Sequence, residues 1–259
     1  MSYNFLKIYK YYFSKKLIFI FLMGIASGIP LYLILSTLMI WLTRENIDLS
    51  TIGLFSLTQI PWSLKFLWAP IIDHYKIPFL HNYLGKRKSW LLITQFFLII
   101  SIILLGTNDP TSELFYTAFF ALLVSFFSAT QDIIIDAYRI ETLSESDQGA
   151  GAAMTQAGYR VGGIIAGAGA LYFREIMKWE TVFMLIALFI LILMILTLFA
   201  PQSNELSIKK SRGNNIGNYL LIFIKPLKEF FNRNSLLNTM LILLFILFFK
   251  LGDVIAGVM

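Results

Sequence analysis

Six charged side chains lie inside long apolar stretches of this sequence. Charges in an apolar medium are costly, so they mark either a functional site or a buried ion pair. A carboxylate such as Asp132 near the cations Lys65 and Arg160 could relay a proton or help to bind an anionic solute. The other three charges are Asp136, Lys250 and Asp253, and two of the uncharged polar companions are Gln59 and Gln131.

The elements that position these groups are predicted to be membrane-spanning helices. The chain is 58% hydrophobic and only 14% charged, whereas soluble domains carry about 25% charged residues. The apolar runs are continuous rather than alternating, which favours helices over the strands of a barrel. The sequence therefore predicts an all-α polytopic membrane protein. Its seven spans are expected at about 17–42, 51–73, 89–107, 113–138, 149–173, 179–200 and 236–259.

Lysine and arginine are distributed unequally between the two ends of these spans. Fifteen of the 21 basic residues fall in the N-terminal tail and the even-numbered loops, and three fall in the odd-numbered loops. Because cytoplasmic loops are enriched in basic residues, this bias predicts a cytoplasmic N-terminus. The net charge of +6 then marks a membrane face and does not indicate a nucleic-acid partner.

The depth of each charge follows from the rise of a helix. Counted from Arg139 at the cytoplasmic end of the fourth span, Asp132 lies about 10 Å deep and Asp136 about 5 Å deep. Lys65 and Arg160 lie about 12 and 16 Å deep on their own spans. We expect a buried cluster of Lys65, Asp132 and Arg160, with Asp136 and Arg139 near the interface. The cluster could serve a substrate or a proton, or it could be an ion pair that locks helices together.

Two further patterns concern packing and the cytoplasmic face. The fifth span contains glycines four residues apart, which predict close helix packing or a surface that slides during conformational change. These glycines are Gly158, Gly162, Gly163 and Gly167. In the second loop, Asp73 ends one span, and Gly85 and Arg87 begin the next, so an acid and a base are expected to pair there.

The composition gives little support for an enzyme or a metal-binding protein. The chain has no cysteine, and its two histidines, His74 and His81, lie in one loop. An intramembrane enzyme would need a nucleophile with its base or a metal cluster. The sequence contains no such pattern, so we predict neither an enzyme nor a cofactor or metal site.

Several stretches resemble a known family of transporters. The acid, glycine and basic cluster of the second loop are similar to the signature loop of the major facilitator superfamily. Within it, "TIGLFSLTQIPWSLKFLWAPIID", "LGKRKSWLLITQ", "FFSATQDIIIDAYRIETL", "GAGAAMTQAGYRVG" and "FKLGDVIAG" resemble the AmpG-type muropeptide permeases.

The resemblance implies a fold of two six-helix halves in the bacterial inner membrane. It also implies proton-driven import of anhydromuropeptides for cell-wall recycling, with Asp73 and Arg87 as the acidic and basic members of the loop motif. Acetyl-CoA transporters resemble this family too, which leaves an anion transporter of that type as an alternative. The implied partners are the lipid bilayer, a muropeptide and protons.

The resemblance covers only part of such a fold. Residues 1–200 would form the N-terminal six-helix half, 201–235 a cytoplasmic loop with an interfacial helix, and 236–259 the seventh span. Because the chain ends within that span, we expect a truncated or split product. The alternative to an active transporter is therefore an inactive or split fragment of such a permease, which a separate C-terminal half or a second copy of the chain could complete.

Overall fold

The computed structural model describes residues 11–203, together with 228, 238–242, 244–245 and 248. The chain divides into two compact units, Met1–Leu206 and Ser207–Met259. In the second unit the described residues are helical. Most of the predicted loop and most of the predicted seventh span, including Lys250 and Asp253, lie outside the described residues.

The described part of the first unit consists of helices joined by short connections and contains no strand. We number its helical elements α1 to α7. Four of them are long and apolar enough to cross a membrane. These are α1 (Lys15–Arg44), α4 (Lys86–Thr107), α5 (Leu114–Thr142) and α7 (Trp179–Leu198). The fold is that of an all-α polytopic membrane protein, as predicted.

The predicted second span is a chain of short helical segments, α2, rather than one helix. It consists of Leu49–Phe55, Ser56–Gln59, Ile60–Leu64, Lys65–Leu67 and Ala69–His74, and the second and fourth are 3-10 turns. Pro61 and Pro70 each lie in the first turn of a new α-helical segment. Proline has no backbone N–H and is tolerated at a helix start, so the two prolines account for the restarts.

The predicted fifth span, α6, is also interrupted. It runs through Gln148–Ile164, a π-helical segment at Ile165–Gly169, and Ala170–Arg174. A matching π-helical segment, Leu33–Leu38, lies within α1. The hydroxyl of Thr37 donates a hydrogen bond to the carbonyl of Ala166, which joins the two segments. The short helix α3 (Leu80–Leu84) and a 3-10 turn (Glu145–Asp147) complete the described elements.

The helices pack around two apolar clusters. The larger includes Ile29, Leu38, Leu98, Val124 and Phe183, and joins α1, α4, α5 and α7. The smaller surrounds Ile20, Leu91, Ile134 and Tyr138. The outward faces remain apolar and exposed, for example at Phe96, Phe119, Leu188 and Ile192. Such a surface is suited to lipid contact.

Glycines set the distance between α1 and α6. A Cβ atom added at Gly158 would lie 2.1 Å from the carbonyl oxygen of Phe21, and one at Gly162 would lie 2.5 Å from that of Ile25. Gly24 and Gly28 of α1 approach α6 in the same way. The two backbones are therefore in direct contact, an arrangement that small residues four apart permit in membranes.

Candidate functional site

Three helices meet at the carboxylate of Asp132. One of its oxygens, Oδ2, lies 3.7 Å from Nζ of Lys65 on α2. The other, Oδ1, accepts a hydrogen bond of 2.5 Å from the hydroxyl of Ser27 on α1. The side chains of Asp132 and Lys65 are 17% and 37% exposed. The carboxylate is thus largely enclosed, while its cation partner reaches an accessible surface.

The local structure explains how these side chains converge. Lys65 begins the 3-10 turn of α2 that lies between the segments restarted by Pro61 and Pro70. The indole N–H of Trp68 donates to the hydroxyl of Thr130 at 3.0 Å, which fixes this part of α2 against α5. The sequence placed Lys65 and Asp132 at one depth, and the structure brings them together.

Ser27 was not among the predicted site residues. It lies between Gly24 and Gly28, where α1 is in backbone contact with α6, and it is 6% exposed. The only hint in the sequence was a small polar residue between two glycines four positions apart. The pattern indicated a packing face, and nothing in it pointed to a carboxylate partner.

Arg160 does not join the cluster that the sequence predicted. Its side chain is exposed on α6, and among the described residues it forms no ion pair. Residues two apart on a helix lie about 200° apart around its axis. Because Gly158 and Gly162 face α1, Arg160 lies on the opposite side of α6. The depth of Arg160 was considered in the prediction, but its rotation about the helix axis was not.

The two predicted glutamines have different surroundings. Gln131 is fully buried, and its Nε2 donates to the carbonyl of Ala26 at 2.7 Å. Its Oε1 has no partner among the described residues. Gln131 therefore links α5 to α1 beside the Ser27–Asp132 hydrogen bond and does not face an open path. Gln59 is half-buried in the 3-10 turn Ser56–Gln59.

A second charged cluster lies at the C-terminal end of α2. Arg87 contacts Asp73 at 2.7 Å and Glu141 at 2.5 Å, and a second hydrogen bond from its Nε reaches Glu141 at 2.9 Å. The Arg87 and Glu141 side chains are only 6% and 9% exposed. The predicted pair of Asp73 and Arg87 is present. Glu141, near the end of α5, is a second partner that the sequence did not predict.

The neighbours of Arg87 tie the same end of the bundle together. Lys86 donates to the backbone carbonyl of Asp73. Lys88 donates to the carbonyls of Ala200 at 2.9 Å and Leu198 at 3.3 Å. These carbonyls lie at or just after the end of α7, where backbone acceptors have no partner within the helix. Gly85, at φ +76°, makes the turn into α4, a conformation that glycine adopts without strain.

The remaining predicted residues lie outside both charged clusters. Asp136 and Arg139 form an ion pair of 3.6 Å one helical turn apart, and the Asp136 side chain is 57% exposed. A Cβ atom at Gly163 would lie 2.6 Å from the ring of Tyr32, whereas one at Gly167 would meet nothing within 4 Å. No group of three potential metal ligands exists in the part of the chain that the structure describes.

Comparison with known proteins gives one family and several relatives. The family model described as Major Facilitator Superfamily matches residues 17–252. An anhydromuropeptide permease of Escherichia coli strain K12 is 37% identical over 258 residues, which is 99% of this chain and 49% of the relative. A Rickettsia conorii protein named AmpG 4 is 37% identical over 97% of this chain and 60% of its own length.

An uncharacterised protein of Haemophilus influenzae is likewise 37% identical, over 93% of this chain and 55% of its own length. The chain thus spans about half of the length of the curated relatives it matches.

Proposed function

We propose a transport function from one established premise: this chain belongs to the Major Facilitator Superfamily. The proposed activity is the import of anhydromuropeptides across the bacterial inner membrane, coupled to protons. The name of the Escherichia coli relative supports this cargo, because that protein is an anhydromuropeptide permease and 37% identical to this chain. The activity would serve the recycling of cell-wall material.

The Lys65–Asp132 ion pair carries the proposal. Its two charges neutralise each other while Asp132 is ionised. Protonation of the carboxylate would leave Lys65 without its counter-ion, and the partly exposed ammonium could then attract a negatively charged solute. Proton binding and anion binding would thereby be linked through one salt bridge. Ser27 would hold Oδ1 of Asp132 in place during the exchange.

Arg160 would take a separate part in the same process. It is exposed and lies within the predicted depth of the membrane, where an exposed charge is expected to face a polar path. Together with Lys65, it would supply two cations for the carboxylates of a peptide-bearing substrate. The same cations would suit an acetyl-CoA-like anion, which is the alternative cargo.

The arrangement in the membrane is part of the proposal. Residues 1–200 would form one six-helix half with a cytoplasmic N-terminus, and 201–235 would connect it to a seventh span at 236–259. Substrate sites of transporters built from repeats lie between the repeats near the midplane. A second half, on the same chain or on another, would therefore complete the path.

Proteoliposomes test the proposed function. The purified chain is reconstituted alone and together with the second half of the Escherichia coli permease, and uptake of labelled anhydromuropeptide is measured with and without an inward proton gradient. We expect gradient-dependent uptake in at least one arm. Absence of uptake in both arms, or uptake indifferent to the gradient, contradicts the proposal. Stronger competition by acetyl-CoA than by unlabelled muropeptide would favour the alternative cargo.

A further inference from the structure

Two neighbouring helices change from α-helical to π-helical hydrogen bonding at the same level of the bundle. The segments are Leu33–Leu38 in α1 and Ile165–Gly169 in α6, and they lie side by side. They follow α-helical stretches of nearly equal length, 18 residues in α1 and 17 in α6. Helices bend sharply at few kinds of site, and π-helical segments are one of them. Two such segments at one level therefore indicate a common bending point.

Contacts join α1 and α6 before, at and after these segments. Before them, the glycines of both helices bring the two backbones into direct contact. At the segments, the hydroxyl of Thr37 donates to the carbonyl of Ala166. After them, Arg44 and Glu175 form an ion pair of 2.8 Å. Because the two helices are connected along their whole length, neither can bend without the other.

The glycines of the α6 segment have no packing role. A Cβ atom at Gly167 would meet nothing within 4 Å, and one at Gly169 would meet only the carbonyl oxygen of Ile164, at 3.4 Å. Gly158 and Gly162 differ, since a side chain there would collide with the α1 backbone. What glycine adds at 167 and 169 is the conformational freedom of a backbone without a Cβ atom.

The helices on the other side of the bundle form a straight frame. Among the described elements, α4, α5 and α7 are continuous α-helices of 22, 29 and 20 residues. Trp41, which follows the π-helical segment of α1, packs against Trp179 and Phe183 of α7 with ring centroids 5.6 and 5.1 Å apart. The last turns of α1 are thus anchored to the frame, and the part that can tilt is the one before the π-helical segment.

Two hydrogen bonds hold that part of α1 against α5. Ser27 donates to Asp132 at 2.5 Å, and Gln131 donates to the carbonyl of Ala26 at 2.7 Å. Ser27 lies six residues before Leu33, which is about 9 Å along the helix. Hydrogen bonds weaken steeply once their distance and angle leave a narrow range. A tilt of α1 would therefore break the bond between Ser27 and Asp132.

We propose that the paired π-helical segments form a hinge at which α1 and α6 bend together, and that the Ser27–Asp132 hydrogen bond keeps this hinge from bending. A change of about 10° in the bend moves the start of α1 by about 5 Å, because 18 residues at about 1.5 Å each precede the hinge. The inference does not rest on the proposed cargo or on proton coupling, since the motion is measured without either.

Distances between spin labels, measured by pulsed electron paramagnetic resonance on the purified full chain in lipid nanodiscs, test the proposal. The chain has no cysteine, so labels attach only at introduced ones. Phe96→Cys on α4 is the reference position. It is combined in one sample with Lys15→Cys on α1 and in another with Ala152→Cys on α6, and all three positions are exposed.

A serine variant releases the hinge. Ser27→Ala removes the hydrogen bond to Asp132, and we expect both label distances to shift by about 3–5 Å. Ser125→Ala is the matched control. It also removes a buried hydroxyl, but one that donates only to the carbonyl of Ala121 within α5, so both distances should stay unchanged.

Alanine at the two unpacked glycines tests the position of the hinge. Adding Gly167→Ala and Gly169→Ala to Ser27→Ala restricts the backbone of α6, and we expect both shifts to fall by at least about half. In the original chain the same two substitutions should narrow both distance distributions. That comparison decides the matter if Ser27→Ala does not fold.

Three results would overturn the proposal. Unchanged distances in Ser27→Ala would mean that the apolar contacts of Leu17 and Ile20 hold α1 in place without this hydrogen bond. A shift of only one label pair would mean that α1 and α6 bend separately. Shifts of full size, or distributions of unchanged width, in the variants with alanine at 167 and 169 would place the bending point outside the π-helical segments.

Discussion

The two charged clusters of this protein differ in how completely their charges are satisfied. Arg87 is 6% exposed and bonds to two acids at 2.5–2.9 Å. The Lys65–Asp132 pair is longer, at 3.7 Å, and Lys65 is 37% exposed. A short, enclosed and multiply bonded charge is suited to holding helices in place. A longer pair with a partly exposed cation can exchange a partner at a lower energetic cost, which is what a transport step requires.

Breaking the enclosed cluster should have the largest effect on stability. Arg87→Met leaves Glu141, with its side chain 9% exposed, as a buried charge without its partner. We expect a loss of about 3–5 kcal/mol in the free energy of unfolding, measured as reduced resistance to denaturant in detergent.

A double variant distinguishes the charge effect from a packing effect. Adding Glu141→Gln to Arg87→Met removes the stranded charge, so it should recover a large part of the lost stability. An equally unstable double variant would mean that the packing of Arg87, and not its charge, stabilises this end of the bundle.

Changing the Lys65–Asp132 pair should affect transport activity more than stability, the opposite of the expectation for Arg87. Asp132→Asn keeps the shape of the side chain and the possibility of a hydrogen bond with Ser27, but it removes the carboxylate that is proposed to bind the proton. We expect uptake driven by a proton gradient to fall at least about a hundredfold, with little change in the denaturant midpoint. Normal gradient-driven uptake by this variant would rule out Asp132 as the proton carrier.

The contact between α1 and α6 allows a second comparison, between a closely packed glycine and an unpacked glycine on the same helix. A Cβ atom at Gly158 meets a carbonyl oxygen at 2.1 Å, whereas one at Gly167 meets nothing within 4 Å. Gly158→Ala should therefore cost about 1–3 kcal/mol, because the two helices must separate.

Gly167→Ala is the matched control for this position. It should be neutral or stabilise the protein slightly, since alanine has a higher helix propensity than glycine. Equal melting temperatures for the two variants would contradict the close approach of α1 and α6.

The sequence predicts the depth of a residue along a helix better than its rotation about the helix axis. Helical rise is regular, so counting residues placed Lys65 and Asp132 at one level. Rotation about the helix axis depends on which face packs, and this is why Arg160 was assigned to the cluster wrongly. Of the six spans predicted in the described region, four are helices long and apolar enough to cross a membrane, and the second, α2, is divided into short segments.

Long-range partners were the least accessible from the sequence. The loop pair Asp73–Arg87 was expected because an acid ends one predicted span and a basic cluster begins the next. Glu141 lies 54 positions from Arg87, and its own surroundings in the sequence do not indicate a partner in α4. Ser27 was also not predicted, because the glycines around it indicated only close helix packing.

The smallest effect is expected one helical turn from Asp132, at Asp136. Its side chain is 57% exposed and pairs with Arg139 at 3.6 Å, a geometry typical of ion pairs that contribute about 0–1 kcal/mol. Asp136→Asn should leave both the denaturant midpoint and proton-driven uptake close to their original values. Because this substitution is chemically identical to Asp132→Asn and lies on the same helix, it isolates the effect of position. A large loss of uptake in Asp136→Asn would mean that the proton path extends to the end of α5, and that exposure does not separate the two carboxylates.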